Sequence, residues 1–179
     1  MYLQKIMSVV RGRFYRIYYK ICNKRIVVGK NVRIGRNVFL SARSNSKVVI
    51  GNNVIIGSNS DISALNGGII LIGDNVAIGS SNKIICHNSI SIGNGTLFAP
   101  NVYIYDHNHL FDTDGVKRNS YDTGSIEIGS NCWICINSVV LKNTIIGDNC
   151  VVAAGAIING NYGRCLKIVQ KRLTEEITI

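Results

Sequence analysis

His87, His107 and His109 are the only three histidines of the chain. An imidazole titrates near neutral pH, so it can take a proton from a hydroxyl or bind a metal ion. His107 and His109 close the segment PNVYIYDHNH (Pro100 to His109), and Asp106 lies three residues before His109. A carboxylate there can orient an imidazole or hold a hydroxyl; an ordinary turn aspartate is the alternative. The stretch that follows, Leu110 to Ser125, is polar and carries Asp112, Asp114, Lys117, Arg118 and Asp122 with Gly115 and Gly124. Long loops inside compact domains are usually functional, so a mobile lid or arm is expected here. Cys132-Trp133-Ile134-Cys135 is formally a CxxC, the spacing of redox and zinc sites.

The elements that must position these groups are legible in a repeat. An aliphatic residue, or Phe at 98, recurs every six positions at 28, 34 and 40; 50, 56 and 62; 72, 78 and 84; 92, 98 and 104; then unbroken from 128 to 158. Glycine follows it at nine places, including Val28-Gly29, Ile56-Gly57 and Ile146-Gly147. Triplets of hexads begin at 28, 50, 72, 92, 128 and 146, so every excess over 18 residues falls after a third hexad. Three flat sides per turn and insertions at one corner describe a triangular prism. Its coils stack as parallel strands at about 4.8 Å. Small or branched residues four places on, such as Val54, Val76, Val102, Ser138 and Thr144, turn the corners. Asn53, Asn75, Asn131 and Asn149 fit the turns, since asparagine tolerates left-handed backbone.

The expected fold is therefore all-β: a left-handed parallel β-helix of about six triangular coils over residues 26–163. A short N-terminal helical segment (1–25) precedes it, one long loop (about 107–125) protrudes, and a basic tail (164–179) follows. In this register His87 and His107 stack on adjacent coils. The CxxC falls within a strand, where residues three apart face opposite ways, so a redox or zinc role is not expected. Cys132 and Cys150 stack one coil apart as two buried thiols.

Composition narrows the class further. With 46% hydrophobic residues the 179-residue chain is not disordered, and no apolar run is long enough to span a membrane as a helix. Residues 1–27 lack a signal-peptide core, so a cytoplasmic location with reduced thiols is expected. The net charge of +10 is uneven. Twelve Lys and Arg and no acid precede Asp61, whereas eight basic and ten acidic residues lie from Asp61 onward. No nucleic-acid-binding motif accompanies the basic third. In residues 1–25 aromatic and aliphatic side chains alternate with Arg11, Arg13, Arg16 and Lys20. Such a helix can cap the domain and pack on a partner subunit, or lie on the inner face of an anionic membrane.

The hexads, PNVYIYDHNH and IGSNCWIC (Ile128 to Cys135) resemble the hexapeptide-repeat acyltransferases, and among them the maltose, galactoside and polysaccharide O-acetyltransferases. The resemblance covers roughly residues 26–160. It implies a homotrimer with acetyl-CoA as co-substrate in a cleft between subunits, and no metal. His109 then matches the general base that takes the acceptor's proton. The resemblance places Asn82, Asp106, His107 and Trp133 toward a sugar acceptor, which the basic N-terminal third suits if it is lipid-linked. His107 is alternatively a surface ladder residue or a substitute base; a three-histidine zinc site like that of the related carbonic anhydrases uses other positions. Ile136 and Ala154 fall along the pantetheine path, and a backbone N–H within Trp133 to Ile136 would meet the oxyanion. Arg164 and Lys167, with Lys171 and Arg172, either meet the CoA phosphates or are solvated charges. Two departures stand out: Cys135 and Ile136 replace the usual small residues after the tryptophan, and residues 159–173 lack the usual proline. The function implied is acetylation of a sugar hydroxyl in surface polysaccharide synthesis. The alternatives are N-acylation of an amino sugar nucleotide, or a scaffold with a decayed site.

Overall fold

The computed structural model describes residues 2–171; Arg172 and the remainder of the expected tail lie outside the described residues. The chain is a parallel β-helix of about six turns, with the left hand that its six-residue period specifies. Its first face stacks residues 26–28, 47–50, 69–72, 89–92, 125–128, 144–146 and 160–162. The second stacks 33–34, 55–56, 77–78, 97–98, 133–134, 151–152 and 167–168. The third stacks 39–42, 61–64, 83–86, 103–105, 139–141 and 157–158. Partners such as Val48 and Ile70, Ile70 and Ile90, and Ile90 and Ile126 repeat the uneven steps of the sequence.

Each aliphatic hexad residue, from Val28 to Ile158, is buried in one interior column. The glycine after it is a requirement of close approach. A Cβ on Gly57 would lie 2.4 Å from the carbonyl carbon of Gly79 in the next coil. Asn31, Asn53, Asn75, Asn131 and Asn149 hold left-handed backbone at one corner. The first three are also linked by side-chain amide hydrogen bonds of 3.2 and 3.1 Å. Polar residues at the corners donate to the following coil: Thr96 to the Gly129 carbonyl, Cys132 to Gly147 and Cys150 to Gly163. Cys132 and Cys150 are free buried thiols, and burial pushes the Cys132 thiol pKa up.

The first coil has no predecessor to pair with. A helix, Tyr2–Cys22, covers that end. Arg11 Nε donates to the Ile34 carbonyl (2.8 Å), Tyr15 Oη to Val38 (3.3 Å) and Tyr19 Oη to Leu40 (3.1 Å). These donors recur every four residues on one helical face. Gly12 lies among them, and a Cβ there would come within 1.8 Å of the Val32 carbonyl oxygen.

The long loop expected at about 107–125 protrudes there, and it is built as a two-stranded antiparallel hairpin, His107–Asp112 against Gly115–Thr123, with an irregularity between His109 and Leu110. Once the chain leaves the coil its backbone polar groups need partners, and pairing outgoing with returning chain supplies them. Lys142 of the next coil bonds Asp122 at its root, and Lys117 bonds Asp112 (3.1 Å) near its tip. At the other end, Lys167–Ile168 pairs with Val151–Val152, so the solenoid continues five residues past 163.

Candidate functional site

The corner between the third and first faces collects the histidines. His87 leaves one coil there and His107 the next, and their rings stack with centroids 3.8 Å apart and planes 27° from parallel. Asp106 holds both. Its carboxylate accepts the backbone N–H groups of His87 and Asn88, each at 2.8 Å, and lies 3.1 Å from His107 Nδ1. A carboxylate can only accept, so His107 carries its proton on Nδ1 and turns Nε2 away. Asn66 donates its side-chain amide to His87 Nδ1 (3.1 Å), which puts the His87 proton on Nε2. Burial pushes the His87 pKa below its ordinary value, and the neighbouring His107 adds to this. Burial alone would raise the Asp106 pKa. The hydrogen bonds from His107 and the two backbone N–H groups outweigh it and hold the carboxyl below its ordinary value.

His109 stands outside this buried group. It projects, exposed, from the root of the hairpin and lies against Tyr121 of the returning strand, with ring centroids 4.8 Å apart. Tyr121 also packs edge-on against His87 (4.2 Å) and His107 (5.4 Å). The side chain of His107 is 11% exposed. Of the three imidazoles, His109 is the exposed one. Tyr121 and Asn66 were not legible as site residues. Tyr121 reaches the cluster only because 121 pairs with 109 across the hairpin, and Asn66 only because 66 and 87 are neighbours on stacked coils.

Two residues expected at the acceptor, Asp106 and Asn82, are buried, and Asp106 instead takes its alternative role of orienting an imidazole. Asp106 has no exposed surface and acts as the internal clamp just described. Asn82 is 1% exposed; its amide donates to the Gly79 carbonyl (2.8 Å) and accepts the Val102 N–H (2.6 Å). It occupies the inward corner position of its hexad, where a polar side chain must bond the coil backbone.

The remaining candidates sit elsewhere. Trp133 projects outward from the second face beside Leu97 and Val151, and Lys167 extends the same column. Ile136 and Ala154 are exposed at the corner that follows, and Arg164 lies at the corner before, paired with Asp148 at 3.5 Å. Within Trp133 to Ile136, the N–H groups of Trp133 and Cys135 bond the carbonyls of Cys150 and Val152. They belong to the coil ladder. In a triangular prism the corner between the third and first faces lies opposite the second face. One chain therefore holds the histidines and the Trp133 face on opposite sides. Among the described residues, no three His, Cys, Asp or Glu side chains converge on a common metal position.

Residues 125–160 match the bacterial transferase hexapeptide (six repeats) family. The putative lipopolysaccharide biosynthesis O-acetyl transferase WbbJ of Escherichia coli K12 is 33% identical over 82 residues, 41% of this chain and 42% of that protein. The galactoside O-acetyltransferase of the same organism is 33% identical over 75 residues, 42% of this chain and 37% of that protein. The chain thus spans about two-fifths of the length of these curated relatives. A mutant of AntD, an N-acyltransferase from Bacillus cereus, solved with dTDP-4-amino-4,6-dideoxyglucose and coenzyme A, shares the fold. Its TM-score is 0.69 at 16% identity, covering 92% of this chain and 89% of that one. A maltose O-acetyltransferase from Clostridium difficile 630 superposes with a TM-score of 0.51 at 20% identity, covering 89% and 77%. In its repeat, its coils and the sequence of its later hexads, the chain resembles the hexapeptide-repeat acyltransferases.

Proposed function

We propose that this chain transfers an acetyl group from acetyl-CoA to a sugar hydroxyl in surface polysaccharide synthesis, with His109 as general base. The position of His109 carries the reading. It is an exposed imidazole at the root of a hairpin, backed by Tyr121 and by a buried cluster that fixes the surrounding corner. The acceptor hydroxyl gives its proton to His109 as its oxygen bonds the thioester carbon. The carbon–sulfur bond then breaks, and the proton passes from the imidazolium to the departing thiolate. A backbone N–H at the Ile136 turn would stabilise the intervening oxyanion. The small residues Ala153 to Ala156 leave room for pantetheine beside the backbone, and Lys167 offers a cation to the CoA phosphates. Arg164 is already engaged by Asp148 and contributes less. The histidines and the Trp133 face meet only between copies, so the active unit is an oligomer, and a trimer suits three-sided subunits.

The test is thiol release from acetyl-CoA in the presence of oligosaccharide acceptors. His109→Ala should lower kcat by about 10²- to 10⁴-fold while acetyl-CoA binding persists. Full activity in that variant would place the base elsewhere. The likeness to AntD, which was solved with an amino sugar nucleotide, favours a second reading: N-acylation of such a sugar. Turnover with an amino sugar nucleotide and none with hydroxyl acceptors would select it.

A further inference from the structure

The helix Tyr2–Cys22 has one face committed to the solenoid and one that nothing covers. Arg11, Gly12, Tyr15 and Tyr19 face the first coil. Opposite them run Leu3, Val10, Phe14, Ile17 and Ile21, at spacings of seven, four, three and four residues, which align on one side of an α-helix. All five are more than half exposed, with Leu3 at 71% and Ile21 at 73%. Exposed Ile6, Met7 and Tyr18 widen this stripe into a continuous apolar ridge. Arg13 and Lys20 flank it, both exposed. Beside them, a cleft of about 520 Å³ between helix and first coil is lined by Arg13, Arg16, Lys30 and Arg33.

We infer that this helix seats the protein on an anionic lipid bilayer, with the ridge among the acyl chains and the cationic flank and cleft on the headgroup phosphates. Charge decides between occupants. No Asp or Glu precedes residue 61, against twelve Lys and Arg. Pairing the ridge with a second copy would bring two such cationic flanks together with no acid to offset them. A surface that is apolar below and anionic above complements both features. No described helix is long and apolar enough to cross a membrane, so the contact is interfacial. The anchor stands at the first coil, at the opposite end of the solenoid from the matched hexads 125–160, and the inference does not depend on the catalytic reading.

The experiment is vesicle flotation of the full chain on phosphatidylcholine alone and with about one-quarter phosphatidylglycerol. Binding should be at least about tenfold tighter to the anionic vesicles and should weaken at about 0.5 M salt. A Phe14→Ser/Ile17→Ser double variant and, separately, Arg13→Glu/Lys20→Glu should each lose about tenfold or more, with the wild-type melting temperature. All four side chains are exposed and none belongs to the buried core, so folding is not at stake. Equal binding by the variants, or no binding by the wild type, overturns the inference. So does a sedimentation shift to a smaller species in the Phe14→Ser/Ile17→Ser variant, which would show the ridge buried between copies.

Discussion

Asp106 has no surface, yet it sets where two imidazoles sit. Its carboxylate receives three donors. An amide in its place would turn one NH2 toward a backbone N–H. Asp106→Asn should therefore destabilise the fold by about 1–3 kcal/mol, read from the urea midpoint, with the larger values if the corner cannot relax. The pH dependence has a defined sign. The folded carboxyl lies below its ordinary 3.8, so its contribution is complete above that value and is lost as pH falls through the lower folded pKa. His87 adds to the same trend at higher pH. Buried and neutral, it binds its proton less readily than the unfolded chain does. Stability is thus lost as pH falls from about 6.5 toward the depressed folded value. Melting temperature measured against pH should fall in both windows for the wild type. His87→Gln should flatten the upper one and Asp106→Asn the lower. An unchanged upper slope in His87→Gln would mean that this imidazole is not held neutral.

At the scale of elements, the helix and the hairpin show what a sequence can and cannot display. The hexads were legible because each one places an aliphatic residue in the interior, and a buried residue leaves a periodic trace. The hairpin left none: its strand residues are exposed or half-exposed on both sides, so no alternation marks it and a polar loop was the natural reading. For the same reason His109 was found through its motif, whereas Tyr121, its packing partner across the hairpin, was not. Asn82 and Asp106 were placed toward the acceptor by resemblance, which gives a coil position but not which way a polar side chain turns. The helix was legible as basic and aromatic, but not its division into a capping face and a free one. That division rests on Gly12. With 1.8 Å to the Val32 oxygen, Gly12→Ala must lift the helix and lengthen the bonds from Arg11, Tyr15 and Tyr19. A loss of about 2 kcal/mol or more is expected, with early proteolytic cleavage in residues 2–22. Wild-type protection would show that the first coil yields instead.

For the whole molecule, the decisive fact is the prism. The histidine corner and the Trp133 face are on opposite sides of one triangular coil, six residues of extended chain, roughly 20 Å, along each flank. No hinge connects them, since each coil is tied to its neighbours by parallel ladders on three faces. A reaction that needs both must draw them from different copies. This gives a complementation test. His109→Ala removes the proposed base and keeps the proposed donor wall; Ala154→Trp fills the small-residue track and keeps His109. Each should be nearly inactive alone. When the two are unfolded together and refolded, a site built from the His109→Ala chain's wall and the Ala154→Trp chain's histidine is intact. About a quarter of sites should recover by random pairing at equal amounts. Sites contained within one chain would recover nothing, because every chain then carries one lesion. Recovery near a quarter would thus establish sharing between copies without a structure of the complex, and its absence would require the donor to bind on the histidine side of the prism.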